Sequence, residues 1–248
     1  MAGGSTTRLV PMAVMTGLNG PQGITVNVAG NLYVADNNAN EVLELTHQGH
    51  VVTVGSGFSH PSGVAANKKG DVWVADTGHN RVVEVNHFGV MTTVATGFSL
   101  PTGVAVDASG DVFVADTFGN RIVEVTPSGS QRTVGTGFHF PQGVAVQPNG
   151  NVYVADSGNH RVVEVTPTGT QRTVATGVTD FSVAVTAAGT VFTFDDTTSS
   201  NAIVEISPNG HEHILGPTYN VPYGIAVGPS GNLFVSDSSN NEVFKLLR

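Results

Sequence analysis

The sequence predicts an all-β fold, and three observations carry that prediction. A unit of about 40 residues recurs along the chain, marked by Pro21, Pro61, Pro101, Pro141 and Pro222, the first four spaced by 40. Each unit holds short runs rich in β-branched and aromatic residues, separated by turns of Gly, Asn, Asp and Ser. No segment keeps a 3.6-residue apolar period, and 31 glycines with only 12% charged residues suit strands and tight turns better than helices.

Residues 103–137 show the elements in order. Four apolar runs, 104–106, 112–115, 122–125 and 133–135, are separated by Ala-Ser-Gly, Thr-Phe-Gly-Asn and Pro-Ser-Gly turns, the pattern of an antiparallel meander. The second run is apolar on both alternating faces, so the sheet must be sandwiched between neighbours of its own kind. A period of this length built of strands means propeller blades. The fifth copy has lost its proline, yet Gly189 keeps the register of Gly150 to within one residue. The prediction is therefore a single domain over residues 1–248, a six-bladed β-propeller of four-stranded antiparallel blades at about 22–55, 62–95, 102–135, 142–175, 182–215 and 223–248. The last copy supplies only three strands. Residues 8–15, followed by Thr16-Gly17, match 131–135, followed by Thr136-Gly137. The N-terminal strand is thus expected to pair with the C-terminal blade and fasten the ring, leaving no open sheet edge.

Composition narrows the function. A net charge of -9 with ten Lys and Arg argues against nucleic acid, whose phosphates demand clustered basic side chains. With no cysteine there is no disulfide, thiolate chemistry or zinc knuckle. The chain has no 18-residue apolar run, and its first seven residues lack the apolar core of a signal peptide. No direct membrane insertion is expected, and the chain is either cytosolic or a mature domain separated from its targeting segment.

Two repeated positions read as framework. Tyr33, Trp73, Phe113, Tyr153, Phe192 and Phe234 occupy one equivalent place in the second strands and are expected in the core. Each second strand ends in aspartate: Asp36, Asp76, Asp116, Asp156, Asp195 and Asp237. In blades two to four an arginine follows five residues later, and Asp76 with Arg81, Asp116 with Arg121 and Asp156 with Arg161 are expected as structural ion pairs. Blades one and six carry Glu41 and Glu242 instead, and blade five has Ala202 and a doubled Asp195-Asp196, so one sector of the rim reads as acidic.

Loops between fourth and first strands and between second and third strands emerge on one face. There the sequence varies where the framework is uniform, mixing aromatic and hydrogen-bonding residues as ligand sites do. The candidate ligand-binding residues are Asn19, Gln22, His60, Ser62, Thr102, His139, Phe140, Gln142, Asp180, Phe181, Tyr219 and Tyr223. His79 and His160 add imidazoles on outer loops, but the four histidines show no ligand spacing, and no metal or other cofactor is expected. Serine-elbow, HExxH and phosphate-loop motifs are missing, and no catalytic residue is assigned.

GVAVDASGDVFVADTFGNRIVEV and GVAVQPNGNVYVADSGNHRVVEV resemble NHL repeats over nearly the whole chain. That resemblance implies six blades and, in several cases, an N-terminal closing strand. The connector TGLNGPQG and the opening AGGSTT are similar to the extracellular sensor domain of mycobacterial-type membrane serine/threonine kinases, which implies a site on the outer side of the cell envelope. NHL propellers also include animal RNA-binding domains and peptidyl-hydroxyglycine lyases. The first use a basic face absent here, and the metal ligands of the second have no counterpart that can be placed on this sequence. The expected function is a non-catalytic binding, sensing or scaffold module, monomeric, taking a small molecule, peptide, glycan or protein partner at the top face and channel mouth. Two alternatives stay open: a metal-dependent lyase, lactonase or hydrolase with an axial site, and a structural or engineered repeat propeller without a ligand.

Overall fold

The computed structural model describes residues 9–195, 201–216 and 218–248, with the side chains of Thr179 and Asp180 left aside. Among these residues the strands form six separate four-stranded antiparallel sheets. Blade three is representative, with strands Pro101–Val106, Val112–Asp116, Arg121–Val125 and Gln131–Val134. The innermost strand of each blade lies against those of both neighbours, in a cycle that returns from blade six to blade one. The fold is the six-bladed propeller expected from the repeat.

The strands run slightly longer than the apolar runs alone suggest. Innermost strands start at the proline itself, which needs no ladder donor at a first position, and second and third strands extend to take in the Asp and Arg that pair across the turn. Blade one ends on a short outer strand, Val51–Thr53. In blade five the innermost strand is the longest, Val178–Val185, with a register shift between Thr179 and Ala184.

The glycine two residues after the proline is fixed by the next blade. A Cβ on Gly103 would stand 2.2 Å from the Gln142 carbonyl oxygen, and one on Gly23 would stand 2.5 Å from that of Ser62. Side chains are excluded there, so the inner strands can close tightly around the axis. Blade five places Ser182 at this position, where its hydroxyl accepts the Ile225 amide at 3.2 Å.

Closure follows the expected route. Pro11–Met15 pairs antiparallel with Glu242–Leu246, Pro11 opposite Leu246 and Met15 opposite Val243, with an irregularity between Ala13 and Met15. Arg8, the first residue of the expected closing segment, lies outside the described residues. Two further bonds hold the seam: Leu18 N–H to the Asn241 carbonyl at 3.2 Å and Gly20 N–H to Asn241 Oδ1 at 2.8 Å.

The core consists of apolar clusters lying between successive blades, such as Trp73 of blade two against Val112, Val114 and Val125 of blade three. All six second-strand aromatics are buried. The tyrosines also satisfy their hydroxyls there: Tyr33 donates to Glu44 at 3.0 Å and Tyr153 to Glu164 at 2.7 Å. Among the described residues no helix is long and apolar enough to cross a membrane.

Candidate functional site at the channel mouth

The face that carries the connectors is organised by the buried second-strand aspartates. One oxygen of Asp36, Asp76, Asp116 and Asp156 accepts the backbone amide of Asn19, Ser59, Ser99 and His139 respectively, at 2.6 to 2.7 Å. Asp237 does the same for Asn220 at 3.1 Å. In blades two to four the second oxygen takes the arginine Nε, at 2.7 Å in each of Asp76–Arg81, Asp116–Arg121 and Asp156–Arg161. A carboxylate taken out of water thus gains charge-assisted partners while tying down the connector that leads to the axis.

A second device joins consecutive blades. The turn asparagines Asn40, Asn80 and Asn120 adopt left-handed conformations, and each accepts through Oδ1 the amide of the next connector, His60, Leu100 and Phe140, at 2.8 Å. Gly20, His60, Leu100 and Phe140 themselves have φ of 67°, 47°, 55° and 47°. This conformation is costly for residues other than glycine, and the asparagine bond holds it. As a result His60, Leu100 and Phe140 are propped outward onto the face.

At the channel mouth each innermost strand contributes one side chain: Gln22, Ser62, Thr102, Gln142, Phe181 and Tyr223. The ring is asymmetric. Phe181 and Tyr223 stack with centroids 4.9 Å apart at 22°, and the Tyr223 hydroxyl reaches Gln142 Oε1 at 3.5 Å, linking blade six to blade four past blade five. Burial pushes the Tyr223 phenol up to about 12, so it remains a neutral donor. On the next blade round, Gln22 Oε1 is buried and has no hydrogen-bond donor among the described residues. Ser62 and Thr102, on the other side, are small and buried, and their hydroxyls are committed between blades. Ser62 meets Asn37 at 3.3 Å, while Thr102 meets Thr117 at 2.7 Å and the Gln142 carbonyl at 3.0 Å.

Other candidates fall elsewhere. Tyr219 is not on the open face: it lies in the core between blades five and six against Phe244, at the repeat position that Leu18, Phe58, Phe98 and Phe138 fill in other blades, where all are buried. Burial, with Asp237 nearby, raises its phenol, and its hydroxyl has no partner among the described residues. Asn19 and His60 are exposed at the periphery. His139 and Phe140 are exposed beside Phe118, the Phe118 and Phe140 rings meeting edge-on at 5.5 Å. The Asp180 side chain lies outside the described residues, as does Asp196 of the acidic sector. His79 sits on Asp76 at 2.9 Å.

Below the mouth lies a cavity of about 190 Å³, walled by Ala, Val and Ile with Thr25 among them. Among the described residues no three His, Asp or Glu converge. The acidic sector is real in register, with Asp36 opposite Glu41 and Asp237 opposite Glu242. Burial raises the Asp36 carboxyl against the opposing Asn19 amide, and Glu41 adds to the rise. The larger clefts between blades on the opposite face escaped the sequence reading. They arise where side chains of different repeats meet, and no local motif marks them.

The sequence model of a family described as NHL repeat matches residues 18–44, 58–84, 98–123, 138–164 and 219–246. No curated protein matches the sequence. Among solved structures the chain is similar to a gluconolactonase of Xanthomonas campestris, with TM-score 0.81 and 13% identity, covering 95% of this chain and 88% of that one. It is also similar to a streptogramin B lyase, with TM-score 0.71, 15% identity and 96% and 97% coverage. A third is a virginiamycin B lyase from Staphylococcus aureus, with TM-score 0.70, 14% identity and 97% and 99% coverage. At such identities the likeness is one of fold.

Proposed function

This chain belongs to the NHL-repeat family, and from that premise we propose that it is a binding module whose site is the channel mouth on blades one, four, five and six. The observation that supports it is the stacked Phe181 and Tyr223 pair, bridged to Gln142 and flanked by the unsatisfied Gln22 Oε1. Stacked rings supply contact area at small entropic cost, and a buried acceptor without a donor favours a ligand that brings one. A small molecule, peptide or glycan with a flat or ring-shaped portion and a hydrogen-bond donor suits this wall. The small Ser62 and Thr102 leave room opposite it.

The fold is shared with lactonases and lyases, whereas below the mouth the channel of this chain carries, among the described residues, only Thr25 as a side-chain oxygen. A sensor role, on the outer side of the cell envelope and as a monomer, fits the connector TGLNGPQG and a ring that closes on itself.

Ligand-observed NMR screening of a peptide, glycan and aromatic set, repeated with Y223A and F181A, tests the proposal. Hits should bind each variant at least tenfold more weakly. Hits that bind the variants as well as the native chain, or turnover of gluconolactone or a streptogramin, would overturn it.

A further inference from the structure

On the face opposite the channel mouth, a cleft of about 730 Å³ opens between blades two and three. Blade two contributes Asp71, Trp73, Glu84 and Thr92 to its wall, and blade three contributes Asp107 and Ser109. The third strands of blades one to five carry a glutamate opposite the second-strand aromatic: Glu44, Glu84, Glu124, Glu164 and Glu205. Four of these carboxylates have partners. Glu44 accepts from Asn31 at 2.6 Å and from the Tyr33 hydroxyl, and Glu164 from Asn151 at 2.6 Å, from the Tyr153 hydroxyl and from Arg172. Glu124 pairs with Arg132 and Glu205 with Arg248. Glu84 has no hydrogen bond or ion pair among the described residues.

In blade two none of the donors that serve the glutamates of blades one, three and four is present. Trp73 stands where blades one and four have the tyrosine hydroxyl, Asp71 where they have the asparagine amide, and Thr92 stands opposite Glu84 where Arg132 and Arg172 stand opposite Glu124 and Glu164. Asp71 directs its own oxygens to Asn67 at 2.9 Å and to the His87 ring at 2.7 Å, so it gives Glu84 no donor. Burial, followed by the Asp71 charge, raises the Glu84 carboxyl. Lys68 and Lys69 stand at the rim and make no ion pair among the described residues. We infer that this cleft binds a guanidinium group from outside the chain, seated on Glu84 beside Trp73 in the place that Arg132 and Arg172 fill in blades three and four. A guanidinium meets a carboxylate through two parallel hydrogen bonds and packs favourably on an indole face.

Trp73 is the chain's one tryptophan, so its fluorescence reports occupancy directly. Native protein is titrated with agmatine and with the peptide acetyl-Gly-Arg-Gly amide, with acetyl-Gly-Gly-Gly amide as the blank. A saturable change is expected with at least one arginine-type probe, at least tenfold weaker in E84Q. In T92R, which supplies the missing arginine in cis, it should be lost while the melting temperature rises. A response to the peptide alone assigns the guanidinium to a protein partner, and one to agmatine assigns it to a small molecule. No saturable response to either probe, or one that E84Q and T92R leave unchanged, overturns the inference.

Discussion

The hydroxyl of Tyr223 in blade six stands 3.5 Å from Oε1 of Gln142 in blade four, while its ring stacks on Phe181 of the blade between them. Three sheets distant in sequence thereby build one wall. Because burial carries the phenol to about 12, an ordinary tyrosine titration is absent from the working range. Binding of a mouth ligand should therefore hold steady from pH 8 to 10, and Y223F, which keeps the stack and removes the donor, should weaken it about five- to tenfold. Isothermal titration across that pH range checks both. A loss of binding centred near pH 10 would contradict the assignment.

Asp156 supports the same face from beneath, accepting from His139 N–H, Asn159 Nδ2 and Arg161 Nε. D156A leaves a cation and two amide donors without their acceptor and should cost about 3–5 kcal/mol. Chemical denaturation measures this. A loss below about 1 kcal/mol would show that the aspartate array does not hold the connectors.

Asp36 is the counterpart without an arginine. Its carboxyl is raised chiefly by burial, with Glu41 adding to the rise, so Asp36 favours folding in acid and costs stability as the pH rises through its folded-state value. E41R restores the partner found in blades two to four and should draw the Asp36 carboxyl down. A gain of about 1–2 kcal/mol at pH 7 is expected, a rise of a few degrees in Tm, vanishing as the pH falls to about 3. Thermal melts at the two pH values test the sign. An equal gain at both would show that it does not come from Asp36.

Met15 is buried with Val243 in the sheet that closes the ring. Removing residues 1–15 strips the outer strand from blade six and uncovers the buried Val243 and Leu246. The truncated protein should melt at least several degrees lower and elute as aggregates on size exclusion. Unchanged Tm and monomeric elution would contradict the clasp.

Much of this was legible because the repeat did the reading. The forty-residue spacing of proline and glycine set the blade count, and the three Asp-to-Arg intervals marked the pairs that the structure places at 2.7 Å. The ring Gln22, Ser62, Thr102, Gln142, Phe181 and Tyr223 could also be named from register. Its chemistry could not, since whether a hydroxyl faces a ligand or the next blade depends on inter-blade distances. Thr102 is spent on Thr117. Tyr219 was legible after all, since it stands three residues before its proline as the buried Phe58, Phe98 and Phe138 do. The asparagine links from Asn40, Asn80 and Asn120 were hidden because each looked like an ordinary turn residue, while its partner lies 20 residues ahead. The Glu84 cleft was hidden for the opposite reason, being defined by partners that the other blades have and blade two lacks.

Hydrogen–deuterium exchange of the protein with and without a hit from the NMR screen shows whether ligand recognition takes place at the channel mouth. Slowed exchange is expected in the segments around Gln22, Gln142, Phe181 and Tyr223, with little change on the opposite face. Protection confined to the outer strands, or spread evenly over all six blades, would contradict it.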